Sequence, residues 1–238
     1  MSTDSIHDAV RSYYLRAAEG GADRDVDVLS DDRWGAHLYD DESIVNVPKA
    51  AADLSMGCGN PYLLADLTNG ETVLDLGSGG GIDVILSARR VAPDGMAYGL
   101  DMLQEMVDIA SKNAADAGVS NVRFLQGLME RVPLADGSVD VVISNCVISL
   151  APDKTPVFAE MFRVLRQGGR MAVSDVVAGD EPLPDVEGEE WAACGAGALG
   201  RAEFTEMLTE AGFTNISIET THDVGHGRKA AMIRADRS

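Results

Sequence analysis

The chain has 238 residues, 45% hydrophobic and 24% charged, enough apolar side chain for one elaborated globular domain and too much for a chain disordered throughout. Against 19 basic residues stand 39 acidic ones, a net charge of −20 spread along the chain, which repels phosphate backbones and anionic lipid headgroups. Nucleic acid and membranes are thereby excluded as partners. The first residues carry neither a basic nor an apolar region, and no run approaches the ~20 apolar residues of a membrane span, so the expected location is cytoplasmic. Three cysteines, Cys58, Cys146 and Cys194, cannot all pair and form no disulfide framework.

Residues 1–70 lack regular alternation and are expected to form helices and loops that cap a site built by residues 71–238. From residue 72 onward, β-rich runs at 72–76, 96–100, 122–126, 139–144 and 170–176 alternate with helical patterns. Leu103, Met106, Val107, Ala110, Ala114 and Ala117 recur at helical spacing before Gly118, and a second helix is expected over 153–166, ended by Gly168 and Gly169. Strand, helix, strand in repetition gives a parallel sheet covered on both faces, an α/β doubly wound fold. An acidic, proline-broken loop at 180–190 lies within a segment, 178–200, expected to cover the substrate. Beyond it come a helix over 203–211 and strands over 215–220 and 228–234. The connector 221–227 is too short for a helical crossover, so this pair closes the sheet as an antiparallel hairpin.

Residues 73–83 read as an apolar strand, a glycine turn and the start of a helix, Val-Leu-Asp75-Leu-Gly77-Ser78-Gly79-Gly-Gly81-Ile-Asp. Such a turn lets backbone approach a nucleotide-like ligand at the carboxyl edge of the sheet. The next strand ends in Asp101, twenty residues beyond Gly81, where an acid can accept from two hydroxyls of an unphosphorylated ribose. NAD and S-adenosylmethionine both offer such a ribose. The dinucleotide fingerprint puts its third glycine three residues after the second, where this chain has Ile82; its own pattern is Asp-x-Gly-x-Gly-x-Gly.

That pattern resembles motif I of the class I S-adenosylmethionine-dependent methyltransferases, and the likeness extends over about residues 70–235, terminal hairpin included. The resemblance implies their Rossmann-like sheet. It also implies that Asp75, Gly77, Ser78 and Gly79 hold the methionine and ribose portions, that Asp101 holds the ribose and that Met102 covers one face of adenine. Gly127, Met129 and Glu130 follow the third strand where the family lines the adenine, and Asn145 ends the fourth strand beside the transferable methyl.

The cysteines sharpen the likeness. Gly57-Cys58-Gly59-Asn60-Pro61, Asn145-Cys146-Val147-Ile148 with Leu150, and Cys194 followed by Gly197-Ala198 resemble the three cysteine segments of the arsenite methyltransferases. The pair Tyr13-Tyr14 stands where that family has Tyr-Tyr-Gly and places Tyr14 at the cofactor. The resemblance implies trivalent arsenic as substrate, bound by Cys58, Cys146 and Cys194, with a thiol reductant (glutathione, thioredoxin or an equivalent protein) as co-substrate. Three thiolates suit this soft element and leave its lone pair free to attack a sulfonium methyl. Cys58, between glycines, is expected in a flexible exposed segment. Two features depart from many members of the family: an additional N-terminal cysteine and a C-terminal extension are absent from these residues. The alternatives are a methyltransferase acting on oxygen, nitrogen or carbon of a small metabolite, and a thiol-based metalloid-binding protein. His222 and His226, four apart, are expected in a turn between strands and not on a zinc-binding helix, and three cysteines without a Cys-x-x-Cys pair fit structural zinc poorly.

Overall fold

A computed structural model describes residues 3–18, 34–179, 188, 191–192, 196–225 and 227–238. At its centre lies β1 (Thr72–Leu76), in parallel register with β2 (Met96–Asp101) on one side and β4 (Val139–Asn145) on the other. Parallel pairing continues outward from β2 to β3 (Val122–Gln126) and from β4 to β5 (Leu165–Ala178). Strand β8 (Arg228–Asp236) runs antiparallel to β5, and β7 (Thr214–Gly225) antiparallel to β8; the short β6 (Leu199–Gly200) pairs with the end of β5. The order is β3-β2-β1-β4-β5-β8-β7, a mostly parallel mixed sheet.

Alternating side chains of β1 serve two cores, as a strand buried on both faces must. Leu74 and Leu76 join Val142, Phe158, Met161 and Phe204 on one face. Val73 joins Val141, Ile143, Leu64 and Leu67 on the other. The first face is covered by α7 (Thr155–Val164) and α8 (Arg201–Glu210), where Phe158 and Phe204 pack at 5.1 Å between ring centroids. Over the second lie α5 (Ile82–Val91) and α4 (Pro61–Leu64), whose start is capped by the Asn60 side chain accepting from the Leu63 N–H at 3.1 Å. Helix α6 (Gln104–Asp116) follows β2, with the buried Asn113 amide donating to the Gly80 carbonyl at 2.9 Å. The N-terminal part supplies α1 (Thr3–Ala18), α2 (Asp41–Ile44) and α3 (Lys49–Asp53).

Two boundaries differ from expectation. Helix α7 ends at Val164, because Leu165 turns extended, is fully buried and pairs with Val139. Gly168 and Gly169 therefore lie inside β5: a Cβ on Gly169 would meet the Asp140 carbonyl oxygen at 2.8 Å, so the pair serves a bulged strand rather than a helix stop. The expected turn over 221–227 is strand as far as Gly225, with register shifts that turn Val224 into the core beside Val176 and Ala230. His222 sits in that strand, while His226 lies outside the described residues, as do 180–187 of the acidic loop. No described helix is long and apolar enough to cross a membrane.

Phe158 is fully buried where α7, α8 and the sheet meet, away from the strand ends. Phe158→Ala is expected to lower stability by about 3–5 kcal/mol. Urea unfolding would show this as a lower midpoint at unchanged slope; a shift below about 1 kcal/mol would mean that the site collapses around the void.

Candidate functional site

In an open parallel sheet, a crevice forms where the strand order reverses, because the connections on either side leave in opposite directions. Here the reversal falls between β1 and β4. A cleft with about 1070 Å3 of empty space, counted to its open mouth, lies at their carboxyl ends. Every residue assigned to the cofactor from sequence lines it: Tyr14, Asp75, Gly77, Ser78, Gly79, Asp101, Met102, Gly127, Met129, Glu130 and Asn145. So does Cys146.

The floor is the glycine turn. Gly77, Gly79 and Gly81 all have positive φ, 73°, 48° and 86°, which L side chains avoid. The amides of Gly77 and Ser78 donate to the Leu100 carbonyl at 2.8 and 3.0 Å, tying the turn to β2. Asp101 is fixed at the end of β2 by two backbone donors, Gly79 N–H to Oδ2 at 2.9 Å and Leu103 N–H to Oδ1 at 3.0 Å. Each oxygen retains acceptor capacity for a ligand hydroxyl. Burial pushes the Asp101 carboxyl up, against the pull of these amides. Over the mouth, α1 contributes His7, Val10 and Tyr14, and His7 Nε2 pairs with Glu130 Oε1 at 2.8 Å. Burial, then the neighbouring Cys146, push the Tyr14 phenol up.

Opposite Asp101, the end of β4 carries a buried polar network that the sequence did not reveal. Asn145 Nδ2 donates to the Gly59 carbonyl at 2.9 Å, to the Tyr39 hydroxyl at 3.1 Å and, more weakly, to Asp83 Oδ2 at 3.4 Å. Tyr39 in turn donates to Asp83 Oδ2 at 2.8 Å. Burial raises the Asp83 carboxyl to about 6 and holds Tyr39 well above the usual phenol range; Asp75, also buried, is raised further by Asp83 and Asp101. Four carboxylates (Asp75, Asp83, Asp101 and Glu130) line the cleft, and no Lys or Arg is among the lining residues. Such a wall favours a cationic ligand and disfavours the pyrophosphate of a dinucleotide.

Cys146 follows Asn145 with φ +61°, an uncommon conformation for a residue with a side chain, and its N–H donates to the Ser174 carbonyl at 2.7 Å. Cys58 reaches the same place from the N-terminal part. It is fully buried, with Sγ 3.8 Å from Ser174 Oγ. The expectation of a flexible, exposed Cys58 is therefore corrected. Its flanking glycines serve close packing: a Cβ on Gly57 would meet the Asn145 side chain at 2.2 Å, and one on Gly59 would meet Ser174 Oγ at 1.9 Å. The two cysteines meet at Ser174 and pack in one apolar cluster with Val176 and Ala230; Cys58, then burial, raise the Cys146 thiol, and Arg228 acts the other way. Behind them, Asp175 accepts from the amides of Ile148 and Ser149 at 2.8 and 3.3 Å, and Lys154 donates to the Ala151 carbonyl at 2.6 Å, bracing the turn after Cys146. Burial brings Lys154 down to about 8. Cys194 lies outside the described residues, and the described His, Cys, Asp and Glu residues form no group of three or more able to hold a metal ion.

A family model described as a methyltransferase domain matches residues 67–212. The arsenite methyltransferase of Halobacterium salinarum is 47% identical over 183 residues, 76% of this chain and 46% of that protein; the one from Aquipseudomonas alcaligenes is 34% identical over 220 residues, 88% and 62% of the two chains. The crystal structure of an arsenic(III) S-adenosylmethionine methyltransferase from Chlamydomonas reinhardtii superposes with a TM-score of 0.66 at 32% identity, covering 82% of this chain and 72% of that one. The chain belongs to the arsenite methyltransferase family. Its fold is that of the class I methyltransferases. It spans about half the length of the Halobacterium arsenite methyltransferase and about three fifths of the Aquipseudomonas one.

Asp83 sets a test of this buried wall. Its folded-state value of about 6 lies above the ~3.9 of a solvated Asp, so the folded state holds a proton the unfolded chain has released. The stability this contributes is complete below about pH 4 and is lost as pH rises through about 6. Asp83→Asn should therefore gain stability relative to the parent as pH rises from about 4 through about 6, and the gap should be level above about pH 7. Urea midpoints across that range would show the gap moving in favour of the variant; a gap independent of pH would contradict the burial of an ionising Asp83.

Proposed function

We propose that this chain transfers the methyl group of S-adenosylmethionine to trivalent arsenic held by the sulfurs of Cys58, Cys146 and Cys194. The observation that carries the reading is the meeting of Cys58 and Cys146 at Ser174, in one apolar cluster, with Cys146 on the cleft wall one residue beyond Asn145. The cleft fits the cofactor: a glycine floor, a buried acid with spare acceptor capacity, and acidic walls free of Lys and Arg suit a ribose-bearing cation. Asp75, Gly77, Ser78, Gly79 and Tyr14 would hold its amino-acid portion and Asp101 its ribose. Met102, Gly127, Met129 and Glu130 would surround the adenine. When bound, S-adenosylmethionine supplies an electrophilic methyl group on a sulfonium.

The chain's own residues supply position. Trivalent arsenic prefers thiolate sulfur, and three As–S bonds leave a lone pair opposite them. Cys146 presents that substrate at the cofactor pocket, and Cys58, clamped by Gly57 and Gly59, meets it with little freedom to lose. Cys58, Cys146 and Cys194 would aim the arsenic lone pair at the methyl group the cofactor would supply, whose sulfur would keep the electron pair of the C–S bond as the As–C bond formed. No proton leaves the nucleophile, so no general base is required, and Asn145, Tyr39 and Asp83 serve to align and exclude water. The product arsenic is pentavalent; a thiol reductant, glutathione or a thioredoxin-like protein, returns it to the trivalent state.

Two results are expected. Asp101→Ala should weaken S-adenosylmethionine roughly ten- to a hundredfold in calorimetry, the loss of hydrogen bonds to a charged acceptor; unchanged affinity would show the ribose site to be misplaced. Cys146→Ser should abolish methylarsenical formation from trivalent arsenic, glutathione and cofactor, read by mass spectrometry, while cofactor affinity stays within about twofold, because serine is a hard, poorly ionised ligand. Full activity in a protein lacking Cys58, Cys146 and Cys194 would sink the arsenic assignment and leave a methyltransferase of small metabolites.

A further inference from the structure

Lys154 is a buried ammonium outside the set of residues that line the cleft. It is 6% exposed and faces the carbonyl end of the 3₁₀ turn Ile148–Leu150, which follows Cys146. Its Nζ donates to the Ala151 carbonyl at 2.6 Å and to the Ser149 carbonyl at 3.3 Å, and lies 5.7 Å from the ring centroid of Trp191. Trp191 Nε1 donates to the carbonyl between these two, that of Leu150, at 3.3 Å. At the amide end of the same turn the fully buried Asp175 takes the Ile148 and Ser149 N–H groups on Oδ2, while the Val176 N–H holds its Oδ1 at 2.7 Å. A carboxylate on the free amides and an ammonium on the free carbonyls satisfy the groups that a short turn leaves open.

The charge of Lys154 matters to this arrangement. An ammonium has three N–H donors, and three acceptors face it: two carbonyls and the π face of Trp191. A neutral amine has two, and its lone pair would turn toward one of those acceptors. Burial brings the group down to about 8, opposed by Asp175 on β5, Glu203 on α8, Asp153 at the start of α7 and Glu130 after β3. Cys146 depends on the turn, because its φ of +61° is a conformation that persists only where flanking contacts impose it. On one side the Ser174 carbonyl accepts its N–H; on the other stands the turn held by Asp175 and Lys154. We propose that Lys154 is a positioning residue, whose ammonium, acting with Asp175 through the 148–151 turn, sets where the Cys146 sulfur stands for methyl transfer. It acts through the turn and not on the substrate, and a shift of about 1 Å at a reacting atom is enough to slow a reaction about a hundredfold.

This inference rests on Cys146 as a ligand of arsenic, and two readouts keep the two apart. The first needs neither arsenic nor a variant. In proton–nitrogen NMR the Trp191 indole N–H, bonded to Leu150 beside the ammonium, should shift with a midpoint at about pH 8 in the parent, and Lys154→Met should remove that titration. The second is single-turnover methylation at saturating trivalent arsenic and S-adenosylmethionine, followed across the pH range that Lys154 titrates. At about pH 7, Lys154→Met should react roughly ten- to a hundredfold more slowly than the parent, while S-adenosylhomocysteine affinity stays within about twofold. As pH rises through about 8 the parent should lose this advantage, and Lys154→Arg, charged throughout, should gain on the parent. Thiol ionisation is common to all three proteins and cancels in these ratios. A ratio of parent to variant that is the same at every pH would mark Lys154 as merely structural, and an indole that does not titrate in the parent would disconnect its charge from the turn; either overturns the proposal and leaves the arsenic reading standing. A parent that forms no methylarsenical at any pH would remove that reading and this proposal with it.

Discussion

Where β1 pairs with β4, the chain leaves the two strands toward opposite sides, and no connection can cover the carboxyl ends between them. That constraint produces the cleft, and the rest of the site is an answer to it. The turn after β1 must fold back on itself at once, which requires glycines of positive φ; the turn after β4 must bend away, and Cys146 takes an uncommon backbone conformation to do so. A side chain on Gly77 would strike Val147 at 2.5 Å, so the two turns are packed against each other. The cofactor loop and the cysteine turn are therefore parts of a single junction, and displacement of either would be felt by the other.

The junction is electrostatically expensive. Asp75, Asp83 and Asp101 are pushed up by burial as their first cause, and no Lys or Arg is among the described residues that line the cleft. Backbone amides and Tyr39 carry part of the load for Asp101 and Asp83. The remainder is strain of the kind that binding sites retain, relieved by a ligand of opposite charge and present in its absence. It is an argument about the cleft alone. Most of the other described acids lie at exposed positions, where water screens them, and they say nothing about which ligand enters.

Much of this was legible in the sequence, and for identifiable reasons. A strand buried on both faces is an apolar run, so β1 had bounds that its composition could mark, and the glycine turn announced the crevice. Local rules failed where tertiary pairing overrode them: Gly168-Gly169 resembles a helix stop but is a bulge inside β5, and 221–225 resembles a turn but is strand because Val224 finds the core. Tyr39 and Asp83 were missed because their roles are contacts between segments 44 or more residues apart. Asp83 did carry one signal, an acid in the first turn of a helix otherwise buried along its length, where solvation offers no reason for a charge.

The burial of Cys58 changes how the cysteine pair should be understood. A flexible cysteine gathers a ligand by moving, and surrenders that freedom on binding. Cys58 is instead held before any ligand arrives, wedged by Gly57 against Asn145 and by Gly59 against Ser174, while Cys146 is fixed by its own backbone bond to Ser174. Ser174 on β5 thus touches both halves, and the two sulfurs share one rigid support. Gly197 packs against the same braced turn, where a Cβ would meet the Ser149 carbonyl oxygen at 2.2 Å, so the segment that follows Cys146 is held from two sides.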